Sequence, residues 1–162
     1  KLTLKIMESI GEKAIPELMK HIERQDNSSG QELESIGKNP NFHLEHRNSI
    51  FLKREVIRTL GKMGHPTQTV PGIITFARLR HPKTAAEDYM AIVTTSTDAI
   101  VNMGTEAIPV LINELQSKDE MRQKFAALVL VNFPRKTLNL LPGETLKLLR
   151  KTKSLLTNKN EP

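Results

Sequence analysis

Residues 103–115, MGTEAIPVLINEL, decide the fold class, because the chain carries the same pattern elsewhere. Residues 10–22 read IGEKAIPELMKHI: an apolar residue, Gly, two spacers, Ala, Ile and Pro, then apolar residues at helical spacing. Measured from the Ile before the proline, apolar side chains recur at offsets of three, four and seven. They are Ile15, Leu18, Met19 and Ile22 in one copy and Ile108, Leu111, Ile112 and Leu115 in the other. Such offsets fall on one face of a 3.6-residue helix, and that face must be buried. A third, degenerate copy comprises Val70, Pro71, Ile73, Ile74 and Ala77, with Gly64 as its glycine and two additional residues before the proline.

The motif has a physical reason at each position. Proline in a first helical turn costs little, because its missing N–H has no partner there. A second apolar stripe arrives upstream of each glycine: Met7 and Ile10 before Gly11, Leu60 and Met63 before Gly64, Ile100 and Met103 before Gly104. Glycine at such a point takes the left-handed conformation that ends a helix, and Thr105 is placed to cap the next one. Each unit is therefore a helix, a tight turn and a second helix. One hairpin cannot hide both stripes, so successive hairpins must stack.

Carried by Gly11, Ala14, Ile15, Pro16 and Leu18, and again by Gly104, Ala107, Ile108, Pro109 and Leu111, the pattern resembles the HEAT-repeat family. More narrowly it is similar to the short bacterial HEAT-like repeats of phycobilisome-lyase-type proteins, with Gly64, Val70, Pro71 and Ile73 as a weaker third instance. The resemblance implies an all-α fold, an α-solenoid of about four helical hairpins in a HEAT-like or armadillo-like superhelix. It implies a single domain over residues 1–162. The expected function is a non-catalytic scaffold for protein–protein interaction, whose partner is another protein. Two alternatives stand beside it: a nucleic-acid-binding HEAT-like protein, and an accessory subunit of a bilin-lyase-like enzyme. In a stack that curves as HEAT-like solenoids do, the second helices line the concave side. Exposed positions on them, Glu17, Lys20, His21, Arg24, Thr75, Arg78, Asn113 and Glu114, are the candidate partner contacts.

Between the first two units the pattern breaks. Residues 25–47 hold few strongly apolar side chains among Ser, Asn, Gly, Gln and His, and are read as an inserted flexible loop, with Asn48 or Ser49 capping the helix that follows. The insert explains why Pro16, Pro71, Pro109 and Pro142 are spaced by 55, 38 and 33 residues. In that next helix Phe51, Val56, Ile57 and Leu60 are expected to face inward. Thr84 with Glu87, and Ser117 with Glu120, have the spacing of capping boxes. The run Thr94-Thr95-Ser96-Thr97 has poor helix propensity and predicts a bend or break in the helix over 85–103. Phe125, Ala126, Leu128, Val129 and Val131 make the following helix central.

Charge singles out the C-terminal end. The net charge is +6, and residues 135–162 contribute seven Lys/Arg against Glu144 and Glu161, which leaves almost no net charge on the remainder. A basic terminal helix is expected over 144–156, with Leu148, Leu149, Leu155 and Leu156 on one face and Lys147, Arg150 and Lys151 as a candidate basic surface on the other. Its plain role is a solenoid cap, whose outer face is polar in any case. An anion-binding surface is the rival.

The search for chemistry finds little. No Gly-rich phosphate loop, nucleophile elbow or dinucleotide fingerprint is present. His43, Glu45 and His46 lack the spacing of a helical zinc motif, so no metal ligand, catalytic residue or cofactor is assigned. Without Trp and with one Tyr, the aromatic platforms of a nucleic-acid groove are missing, and specific nucleic-acid binding is not expected. No cysteine is present, so there is no disulfide framework. No apolar run has the length of a membrane span. The first residue, Lys1, is read as a trimmed start; a cytoplasmic location is expected, with an exported or periplasmic one open.

Overall fold

The structure is a computed structural model that describes residues 11–18, 20, 42–78 and 86–157. Every regular element among them is helical. After a short N-terminal helical segment come α1 (Phe42–Met63), α2 (Pro66–Arg78), α3 (Ala86–Asn102), α4 (Ile108–Leu115), α5 (Glu120–Val131), the single turn α6 (Arg135–Leu138) and α7 (Gly143–Thr157).

The two full copies of the repeat fold alike. Gly11–Ala14 and Gly104–Ala107 are 3₁₀ turns. Each passes straight into α-helix at its Ile-Pro step, over residues 15–18 and in α4. Gly104 has a φ of +79°, so the chain leaves α3 through the left-handed region that glycine enters without a Cβ clash. Pro109 lies in the first turn of α4. Thr105 does not cap that helix: neither the 3₁₀ turn nor α4 has a side-chain cap, and the N–H of Ile108 bonds the Thr105 carbonyl instead. The tight turn itself supplies the bonding a cap would have provided.

The degenerate copy differs in its corner. Gly64 (φ +77°) is followed by His65, also left-handed at φ 55°, and α2 begins at Pro66. The Thr69 hydroxyl bonds the carbonyls of Gly64 and His65, each at 3.1 Å, and ties the corner to the first turn. Pro71 therefore lies inside α2 rather than at its start. The extra residues before Pro71 belong to the helix.

Three further expectations are corrected. First, α1 starts at Phe42, so Asn48 and Ser49 are interior to it and residues 42–47 are helical rather than inserted loop. Between Pro40 and Gly61 no proline or glycine interrupts the chain, and Leu44, Glu45 and Arg47 are good helix formers. The rest of the proposed insert, 25–41, lies outside the described residues. Second, Phe51 is 53% exposed while Ile50 is buried. Ile50 shares a face with Ile57 and Leu60, whereas Phe51 falls in line with Glu55, Arg58 and Lys62 on the polar side. Third, the Thr-Ser run does not break α3, which is continuous from Ala86 to Asn102. Thr95 returns its hydroxyl to the Ala91 carbonyl at 2.7 Å. Ser96 is carried inward because it sits between Ile92 and Ile100 on the buried stripe. The buried Ser96 and Thr97 hydroxyls have no hydrogen-bond partner among the described residues.

At α5 the cap is Asp119 rather than Ser117. The Asp119 carboxylate accepts the N–H groups of Met121 (3.0 Å) and Arg122 (3.2 Å), while Ser117 Oγ accepts the N–H of Asp119 itself at 3.2 Å. Asp119→Ala should cost about 1 kcal/mol, the usual worth of an N-cap, measured by urea unfolding against Glu120→Gln as a control that leaves the cap intact. The Thr84 half of the other capping box lies outside the described residues.

The helices pack as follows. α1 packs on α3 and α3 on α5; α2 packs on α4 and α4 on α7. α2 also meets α3 and α5, and α4 meets α5, so these helices enclose one core. Leu60, Val70, Ile73, Ile74, Ile100, Leu111, Leu115, Val129 and Leu130 are fully buried in it, and Ala14, Ile15 and Leu18 join from the N-terminal segment. Ile112, expected beside Leu111 in the core, is half-buried. α5 is central, touching α2, α3, α4 and α7. Leu149 is buried and Leu148 packs against the core, which seats α7 by its apolar face on α5.

Candidate functional site

Among the described residues, a polar groove lies where α1 and α3 run side by side. Arg54 Nε donates to Thr95 Oγ1 at 3.0 Å. Further along, a Cβ placed on Gly61 would stand 2.8 Å from Ala99 Cβ and 2.9 Å from its Cα. Both pairings advance in the same direction, so the two helices are parallel, and Gly61 is what lets them approach. Their junction is a half-open groove of about 520 Å³. Gly61, Thr95 and Ala99 form its floor.

Its two walls are ladders of the same pitch. On α1 stand Arg54, Arg58 and Lys62; on α3 stand Thr94, Asp98 and Asn102. Residues four apart lie about 6 Å apart along a helix axis and on nearly one line. One wall is thus three cations in a row and the other a hydroxyl, a carboxylate and an amide. Arg58 pairs with Glu55 one turn back, but a guanidinium has five donors and keeps others for a ligand. Among the described residues no aromatic side chain lines the groove. Sequence reasoning missed all six wall residues. Their spacing was visible, but each ladder by itself reads as the solvent face of an amphipathic helix.

The sequence-assigned contacts are placed differently. Thr75 on α2 and Glu114 on α4 are brought together by Arg122 of α5. The guanidinium grips Glu114 with two bonds of 2.6 Å, Nε to Oε2 and Nη2 to Oε1, and Nη1 reaches Thr75 Oγ1 at 3.4 Å. The side chains of Glu114 and Arg122 are only 11% and 24% exposed, so Glu114 is an internal clamp between helices. The hydrogen bonds to Glu114 raise the Arg122 pKa above its ordinary value, with burial opposing and charge attraction adding to the rise. A raised cationic pKa contributes its stability at every pH below the ordinary value, so the clamp is intact across the physiological range. Glu114→Gln should lower stability by about 1.5 kcal/mol, the low end for a charged hydrogen bond because both groups keep some solvent. The double-mutant cycle with Arg122→Gln isolates that coupling.

Of the remaining candidates, Asn113 is exposed on α4, and Glu17 and Lys20 are exposed and paired at 3.9 Å. Arg78 ends α2, while His21 and Arg24 lie outside the described residues. Lys147, Arg150 and Lys151 are exposed on α7, away from the buried Leu149, and Lys147 pairs with Glu144 at 2.9 Å. Among the described residues no group of His, Cys, Asp or Glu is arranged to hold a metal ion, and no helix is long and apolar enough to cross a membrane. No family model, no curated protein and no solved structure matches the chain.

Proposed function

We propose that the chain is a non-catalytic binding module, a short HEAT-like α-solenoid that engages another protein. The observation that carries this reading is the recurrence of one corner, a Gly-x-x-Ala 3₁₀ turn opening into an Ile-Pro helix, in two places of a chain whose first and second helices pack in two rows. Such stacking leaves long helix faces free along both rows, which is how repeat proteins present binding surfaces. The test is cross-linking of the intact chain in a lysate of its source, followed by mapping of cross-linked peptides. Reproducible links to one protein through any helical face are the expected result. Recovery of nucleic acid as the main cross-linked species would replace the reading with the nucleic-acid alternative, and recovery of a bilin-bearing client with turnover on mixing would replace it with the lyase-like one.

The exposed cations of α7 act in this reading as the polar outside of a cap. Lys147→Gln, Arg150→Gln and Lys151→Gln together should leave the melting temperature and the cross-linked partner unchanged. Loss of the partner in that variant, with a steep fall of wild-type binding in salt, would make α7 the binding surface instead.

A further inference from the structure

We infer that the groove between α1 and α3 receives an extended acidic segment of the partner, with its carboxylates on Arg54, Arg58 and Lys62; this rests on the protein-binding reading above. Pitch is the first reason. The cations recur about every 6 Å along α1, and alternate side chains of an extended peptide recur about every 6.6 Å on one face. Carboxylates at every second position of such a segment keep nearly in step with the ladder for its three rungs.

The opposite wall and the floor supply the second reason. Thr94, Asp98 and Asn102 offer both donors and acceptors at the same pitch, which suits the alternating N–H and C=O groups along the edge of an extended backbone. The floor, narrowed to Gly61 and Ala99 at the closest approach of the helices, has no long side chain to keep a backbone away. Backbone chemistry then favours peptide over nucleic acid. Asp98 stands midway along the wall, where its carboxylate is placed to accept a peptide N–H, a donor that a phosphodiester backbone lacks. Among its described lining residues the groove also has none of the aromatic platforms on which single-stranded bases stack.

The experiment uses the full chain and a fluorescein-labelled octapeptide of alternating Glu and Ser, titrated by fluorescence anisotropy. An oligothymidylate of equal charge is titrated in parallel. The peptide should bind, lose affinity between about 50 mM and about 200 mM salt, and bind the Arg58→Gln/Lys62→Gln variant roughly tenfold more weakly, as expected for losing charge-assisted contacts. The circular dichroism melt of that variant should match the wild type, since both side chains are at the surface. No peptide binding, or binding that survives Arg58→Gln/Lys62→Gln but is lost with the α7 cations, overturns the inference. Tighter binding of the oligothymidylate through the same residues also overturns it, in favour of a nucleic-acid groove. A partner cross-linked through another face, with the groove silent, removes this inference and leaves the binding-module reading standing.

Discussion

Leu111→Ala should destabilise the fold by about 2–5 kcal/mol, the range for truncating a large aliphatic side chain in a core that cannot collapse around the loss. Leu111 is fully buried on α4, and α4 is held between α2 and α5 with α7 on a further side, so no single neighbour can close the space. Urea unfolding should give a lower midpoint with an unchanged slope, the signature of a stability change alone. Ile112→Ala, one position round the helix and half-buried, should cost clearly less. A loss below about 0.5 kcal/mol for Leu111→Ala would put that side chain at the surface. The repeat register, fixed by Ile108, Leu111 and Leu115, would fall with it.

That register was legible because it depends only on spacing within one segment. Offsets of three, four and seven from the Ile before a proline specify a helix face whatever lies opposite, and Leu111, Leu115, Ile15 and Leu18 on that face are buried. The same holds for Gly64 and Gly104, whose positive φ follows from the need to end one helix and begin another within a few residues. Helix starts were less legible. Residues 42–47 look like loop by apolar content, yet the absence of any breaker between Pro40 and Gly61 let α1 extend through them. At α5 the Ser117–Glu120 spacing points to Ser117, yet the cap is Asp119, whose carboxylate reaches two N–H groups at once.

The groove was not legible, for a different reason. Arg54, Arg58 and Lys62 lie some forty positions from Thr94, Asp98 and Asn102 in the chain, and neither ladder implies the other. Only the parallel packing of α1 on α3 turns two ordinary solvent faces into facing walls. Glu114 shows the converse. Helix geometry placed it outward on a second helix, but Arg122, eight residues later on the neighbouring helix, folds back over it and takes it out of the exposed set. Pairings between helices decide both cases, and a single-sequence pattern does not contain them.

Gly61→Val should be the most damaging change at the surface of contact between α1 and α3. A Cβ at Gly61 would lie 2.8 Å from Ala99 Cβ, 2.9 Å from its Cα and 3.0 Å from its carbonyl oxygen. Two of these are backbone atoms that no rotamer can move, so α1 and α3 must separate, and valine adds two further carbons to the wedge. The expected loss is about 3 kcal/mol, the upper end for overpacking. It outweighs the few tenths of a kcal/mol by which valine exceeds glycine in helix propensity. Adding Ala99→Gly removes the opposing Cβ and should restore part of the loss, a coupling that a double-mutant cycle in urea reads directly. Strictly additive losses would mean that the helices do not touch at this point. Because Gly61 and Ala99 also floor the groove, the single variant should lose the Glu-Ser peptide as well, even at temperatures where it is folded. Retained peptide affinity in folded Gly61→Val would separate the binding surface from the helix crossing and move it elsewhere on α1.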